Sequence, residues 1–275
     1  MHDHRSHTAV SGDGTEIVGA VRGVGPPLVL VHGGAGNGEV SWRFLLPHLE
    51  ERFTCYALST RGRGRSGDHP DHSIGALIGD VVAFVESIGA PVGIFGHSSA
   101  LALAAATRTD AITAVAVHEP AVGALAADSA PDLEPTIGRV IEAADEGRFT
   151  DAVRIFFEDT GVFNDDEVAT LVRTDAHDRM APNVPAWCAE MAEYGGAVDP
   201  AVLREVPVPV LLLQGTRSPR WFRDSVDHVA AQLPDVRVRE VADGGHMAPV
   251  VVPAAVAEEL VRFLVPHAAA ADAAG

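Results

Sequence analysis

The stretch VGIFGHSSALALAAA, residues 92–106, decides the fold. An apolar run, Val92 to Phe95, stops at Gly96-His97-Ser98-Ser99, and an Ala/Leu-rich run begins at once. The first half has the length and apolar content of a buried strand, and the second half those of a helix. A strand that turns into a helix within so few residues leaves the turn residue, Ser98, at the edge of a sheet. Gly96 lets the chain double back tightly. Ala100 places a methyl where a second glycine would ease the turn, so a slightly wider turn is expected there.

Similar apolar runs recur outward from this stretch. PPLVLVHGG (26–34) and FTCYALSTRGRGRSG (53–67) precede it, and AITAVAVHEP (111–120), VPVPVLLLQGTRSP (206–219) and VRVREVADGGH (236–246) follow. Near-continuous Val, Leu and Ile predict strands buried on both faces of a mainly parallel sheet. Helical patterns over 73–89, 99–108, 221–232 and 253–265 separate them. The alternation predicts an α/β fold with a doubly wound sheet, opened by a hairpin around SGDGTEIVGAVRG (11–23). Residues 121–205 break the rhythm with helical patterns and no buried strand, and read as a helical cap inserted into a core of 1–120 and 206–275. Residues 1–9 and 267–275 read as flexible tails, with His2, His4 and His7 in the first of them.

The chain has 275 residues, 47% of them hydrophobic, enough for a sizeable core. Lys+Arg is 20 against Asp+Glu 38, a formal charge of −18, which argues against nucleic acid and anionic membrane surfaces as partners. Cys55 and Cys188 lack a CxxC arrangement and read as free thiols. The start, MHDHRSHTAV, has no apolar signal core and no run is long enough to span a bilayer, so a cytoplasmic protein is expected. Pairing with a second copy stays open.

In an open parallel sheet, ligands bind beyond the carboxyl ends of the strands. There stand His32, Gly33 and Gly34; then Ser98 and Ser99; then His118 and Glu119; then Gly215 to Ser218; and finally Asp243 and His246. A serine, a carboxylate and a histidine therefore converge on one edge. Serine is a weak nucleophile at neutral pH and needs a base, for which His246 in DGGHMAP is the candidate.

These motifs, GHSSA with its strand and helix, HGG after the first buried strand, and DGGH after the last, resemble the α/β-hydrolase family over roughly residues 10–265. The resemblance implies a nucleophile elbow at Ser98 and His246 as its base. It also implies an oxyanion hole from the N–H groups of Ser99 and, in the first loop, Gly34. Many members carry the acid after the penultimate strand, where this chain has Ser218. The HEP of residues 118–120, with SP at 218–219, resembles a subgroup that includes lactone hydrolases acting on zearalenone, in which a Glu is the acid. Glu119 is then the acid that fixes the tautomer of His246. Asp243 is the rival, three residues from His246 and awkward in reach.

Two further glycine-rich stretches bear on cofactors. Gly62, Gly64 and Gly67 in RGRGRSG match a dinucleotide fingerprint, but they also resemble the structural R-G-x-G-x-S loop of the family, and no cofactor is expected. HGGAGNG lacks the lysine of a phosphate-binding loop, and no metal is expected. In the cap, Trp187 is expected to face the pocket, as a Trp of a similar P-x-W segment does in the lactone-hydrolase subgroup. Trp221 and Phe222 are expected to border it. An apolar cap suggests an apolar substrate. The expected function is cofactor-independent hydrolysis of a carboxylic ester or lactone. Thioesterase, C–C hydrolase, lyase, cofactor-free peroxidase or ligand-receptor roles remain as alternatives on the same fold.

Overall fold

The computed structural model describes residues 5–120, 132–194 and 198–274. His2, His4, the expected first part of the cap at 121–131 and residues 195–197 lie outside the described residues. The strands are β1 (Arg5–Val10), β2 (Glu16–Gly23), β3 (Pro27–Val31), β4 (Thr54–Leu58), β5 (Val92–His97), β6 (Ile112–His118), β7 (Val210–Gly215) and β8 (Val236–Val241). They form one eight-stranded sheet in the order β1-β2-β4-β3-β5-β6-β7-β8. β1 and β2 pair antiparallel, β2 runs antiparallel to β4, and every later pairing is parallel.

The central strands are apolar throughout because both sheet faces are covered. Leu28, Val29, Leu30, Val31, Ile94 and Phe95 are fully enclosed. On one face lie α2 (Ile74–Ser87), α3 (Leu101–Ala105) and α10 (Arg220–Gln232). On the other lie α1 (Leu46–Leu49) and α12 (Pro253–Ala274). Each fully buried Leu, Ile or Phe contributes about 1.5–3 kcal/mol of apolar transfer. Ser73 starts α2 by accepting from the Ala76 N–H at 3.3 Å.

Between β6 and β7 the described chain is helical. It runs through α4 (Glu134–Asp145), α5 (Phe149–Asp159), α6 (Asp165–Arg173), α7 (Ala176–Met180), α8 (Val184–Tyr194) and α9 (Pro200–Leu203). These helices share a third apolar cluster, with Val153, Phe157, Leu171 and Trp187, that reaches down to Ala35 and Met247 of the sheet-edge loops. The helix α11 (Ala248–Val251) follows β8 and lies beside α6.

Three expectations need correction. Residues 5–9, expected as tail, belong to β1, and the hairpin begins at Arg5. His7 is packed there, its Nε2 at 2.8 Å from Ser87 Oγ and its ring edge-on to Tyr56 and Phe84. Residues 267–274, also expected as tail, continue α12. Alanine is the best helix former, and extending an already docked helix needs no new nucleus. β8, expected to be buried on both faces, is an edge strand with Arg237, Val238, Arg239 and Glu240 exposed. Charges on an edge strand block further pairing.

Candidate active site

The sheet register brings the serine, acid and histidine segments together. His97 of β5 pairs with His118 of β6. The ladder then runs one residue further on both strands. Ser98 N–H donates to the His118 carbonyl at 2.9 Å, and Glu119 N–H donates to the Leu213 carbonyl at 3.0 Å. Ser98 and Glu119 therefore stand side by side just past neighbouring strand ends. Both have left-handed backbones, with φ of 55° and 45°. Non-glycine residues hold that conformation at a cost of about 1–3 kcal/mol, and such costs cluster at functional sites.

The elbow accounts for its small residues. A Cβ on Gly96 would lie 2.8 Å from the Ser99 carbonyl oxygen. A Cβ on Gly33 would lie 2.9 Å from Cβ of Ser98, so the first loop passes directly against the serine. Ala100 is different. Its φ is −79°, an ordinary helical value, and its methyl is buried without need of a glycine conformation. Gly34 has φ of 46° and open space where a Cβ would point, facing the cavity that it lines.

Glu119 is fully enclosed and both of its carboxylate oxygens are engaged. Oε2 accepts from His246 Nδ1 at 2.9 Å. Oε1 accepts from the Gly215 N–H at 2.7 Å and from the Ser218 hydroxyl. Burial alone would raise the pKa of this carboxyl. The positive charge that His118 and His246 carry when protonated, and the hydrogen bonds from His246 and Ser218, outweigh it, holding the pKa at about 2. An ionised carboxylate only accepts, so Nδ1 of His246 carries the proton of this bond, which leaves Nε2 on the other side of the ring. Asp243 is exposed, and its backbone N–H bonds to Thr216 Oγ1 at 3.0 Å. Among the described residues, the carboxylate hydrogen-bonded to His246 is that of Glu119.

The His246 ring is also held by stacking. Phe222 lies against it at 3.8 Å between centroids and 10° between planes, and Trp221 stacks on Phe222 at 3.8 Å. His97 and His118 stand beneath as neutral rings. Their burial is the main cause that drives both pKa values down. His97 Nε2 donates to the His246 carbonyl at 2.8 Å, and His118 Nε2 donates to the Gly245 carbonyl at 3.0 Å. His32 braces the first loop, its Nε2 accepting from Thr60 N–H at 3.2 Å.

Ser98, Ser99, Gly34 and His246 line a cavity of about 300 Å³ between the sheet edge and the helical segment. Trp187, Trp221 and Phe222 line the same cavity, and Trp187 sits edge-on to Phe156 at 4.8 Å. Its wall also holds an ion pair, Arg63 to Glu190 at 2.5 Å. The rest of RGRGRSG is structural. Arg61 forms a buried bidentate pair with Asp80, at 2.7 and 2.6 Å. Among the described residues no group of His, Cys, Asp and Glu is arranged to hold a metal ion.

Two contributors escaped the sequence reading. In the sequence Ser218 stands only as a vacated acid position, whereas in the structure it donates to the carboxylate of Glu119, one strand away. Glu167 of α6 accepts from the Met247 N–H at 2.6 Å, next to His246. Its local signal was the Asn164-x-x-Glu167 capping box, present with both reciprocal bonds. That box predicts a helix start and carries no hint of the distant partner.

Comparison with known proteins agrees with this architecture. The profile of the alpha/beta hydrolase family matches residues 28–259. The chain is 29% identical over 200 residues to a pimeloyl-[acyl-carrier protein] methyl ester esterase of Methylococcus capsulatus, covering 71% of this chain and 77% of that protein. An alpha/beta hydrolase of Sphaerobacter thermophilus superposes with a TM-score of 0.77 at 31% identity, over 94% of this chain and all (100%) of that one. An esterase of Rhodococcus sp. superposes with a TM-score of 0.78 at 21% identity, over 95% and 98%, a likeness of fold.

Proposed function

Because the chain belongs to the alpha/beta hydrolase family, we propose that it is a serine hydrolase cleaving a carboxylic ester or lactone of an apolar substrate through an acyl-enzyme. The observation that carries the reading is the 2.9 Å bond from His246 to the buried Glu119, in a cavity that Ser98 also lines. Nε2 of His246 takes the proton of Ser98 as Oγ bonds to the substrate carbonyl carbon. The N–H groups of Gly34 and Ser99 stabilise the oxyanion. His246 returns the proton to the leaving alkoxide, which departs as the alcohol, or remains tethered when the substrate is a lactone. Water, deprotonated by the same nitrogen, then cleaves the acyl-enzyme to the acid and restores Ser98.

Ester chemistry is supported by the methyl ester esterase relative. A lactone substrate rests on the HEP and SP motifs and their resemblance to the lactone-hydrolase subgroup. Trp187, Trp221 and Phe222 would contact the apolar part of the substrate. The Trp and Phe surfaces supply binding energy remote from the reacting carbonyl. A fluorophosphonate probe tests the reading. It should label the wild type and leave Ser98→Ala unlabelled, while a wild type that resists labelling and hydrolyses no aryl ester or macrocyclic lactone would point to a ligand-binding protein instead.

A further inference from the structure

We propose that Glu167, in the helical segment between β6 and β7, is a positioning residue for His246. The inference rests on the reading of His246 as the base. Three buried side chains grip the two peptide units that flank that residue. His118 binds the Gly245 carbonyl at 3.0 Å, His97 binds the His246 carbonyl at 2.8 Å, and Glu167 binds the Met247 N–H at 2.6 Å. The two histidines come from the strand ends that carry Ser98 and Glu119. Glu167 alone comes from outside the sheet.

Its carboxylate is fixed before it reaches the loop. Oε2 accepts from Asn164 N–H at 2.9 Å, and Asn164 Oδ1 accepts from Glu167 N–H at 3.1 Å, so the start of α6 locks the side chain. Glu167 is 1% exposed. The loop lies flat on it: a Cβ on Gly245 would strike the Glu167 carboxylate and would lie 2.6 Å from Asn164 Nδ2. A second tie runs from Asp166 to Arg217, at 2.7 Å, on the loop that carries Ser218. The first turn of α6 therefore touches the histidine loop and the loop that supports the acid. α6 also bears Leu171, which lines the cavity. The helices that cover the substrate thus hold the base in place, and turnover requires α6 to be docked.

The test compares steady-state hydrolysis of p-nitrophenyl butyrate by Ser98→Ala, Glu167→Ala, Glu167→Gln and Asn164→Ala, with thermal unfolding of each. Glu167→Ala should lower kcat about 10- to 100-fold, the scale of a misplaced catalytic group, with KM changed less than about threefold. Glu167→Gln should recover most of kcat, because an amide oxygen still accepts from Met247. Asn164→Ala should melt earlier and keep kcat within about twofold, since it removes a cap and leaves the Met247 bond. A folded Glu167→Ala with wild-type kcat overturns the proposal, as does Asn164→Ala losing as much kcat as Glu167→Ala. If Glu167→Ala does not fold, Glu167→Asp, whose carboxylate falls short of Met247, replaces it with the same expectation. Ser98→Ala separates the two ideas. If it retains turnover, the serine mechanism fails; if it is inactive while Glu167→Ala is not, only the positioning role fails.

Discussion

Ser218 donates its hydroxyl to Oε1 of Glu119, so the residue at the family's usual acid position solvates a buried carboxylate supplied by the neighbouring strand. The two are 99 residues apart in sequence and meet because β6 and β7 are parallel neighbours. Moving the carboxylate to β6 leaves its second oxygen facing the end of β7. There Ser218 and the Gly215 N–H satisfy it. A buried carboxylate without those donors would favour its neutral form.

This geometry ranks the two acids. Glu119→Gln keeps the shape and removes the charge that holds the His246 tautomer, so kcat for an aryl ester should fall by roughly 10³- to 10⁴-fold. Asp243→Asn should stay within about threefold, its side chain being exposed. Kinetics of both purified variants decide it, and the opposite ranking would remove Glu119 from the mechanism.

The elbow makes an asymmetric prediction about its small residues. Gly96→Ala should abolish most activity, because the new methyl must displace the Ser99 carbonyl, 2.8 Å away, in the turn that carries Ser98. Ala100→Gly should leave kcat nearly unchanged and shift stability by less than about 1 kcal/mol, because Ala100 is the N-cap of α3, where glycine is well tolerated. Denaturant titration and initial rates on the two proteins measure both effects. A gain in kcat for Ala100→Gly would show that the methyl does constrain the turn.

Stability should depend on pH in two windows. His32, His97 and His118 are buried with folded pKa values below 6.5, chiefly through burial. Below pH 6.5 the unfolded chain binds protons that the folded one refuses, so stability is full above that value and falls as pH drops. The fall approaches about 1.4 kcal/mol per pH unit for each such histidine. Glu119 acts lower down. Its folded pKa of about 2 lies below the unfolded 4.5, so its contribution is present above pH 4.5 and is lost as pH falls toward 2. Thermal melts should be level from pH 8 to about 6.5 and decline from there to pH 5. A flat profile would mean that these imidazoles are not held neutral.

Much of the site was legible in the sequence because strands buried on both faces announce themselves as apolar runs, and ligands gather at their carboxyl ends. Ser98 and Glu119 each follow such a run directly, whereas His246 stands beyond Val241, the end of the exposed edge strand β8. β1 was missed because Arg5, Ser6, His7 and Thr8 offer no apolar alternation. Its stability comes from pairing with β2 and from His7 packing on Tyr56 and Phe84, both distant in sequence. Glu167 was missed for a related reason. Its capping box is local, but its second partner, Met247, lies 80 residues on, and only the folded chain juxtaposes them.

The aromatic lining divides into two jobs. Phe222 is 2% exposed and stacks face to face on the imidazole of His246, so it holds that ring as well as lining the cavity. Trp187 touches Phe156 and the cavity, away from His246 in the described ring contacts. Trp187→Ala should therefore act on binding. KM for bulky apolar esters should rise about tenfold, equivalent to one lost apolar contact surface, while acetate esters barely change. Phe222→Leu keeps apolar volume but loses the stacked face, so kcat should fall several-fold for small and large esters alike. Rates on p-nitrophenyl acetate and on a naphthyl ester, measured for both variants, separate the two roles. If Trp187→Ala slowed acetate as much as the naphthyl ester, Trp187 would be acting on the chemical step, and the division of labour between the two rings would be lost.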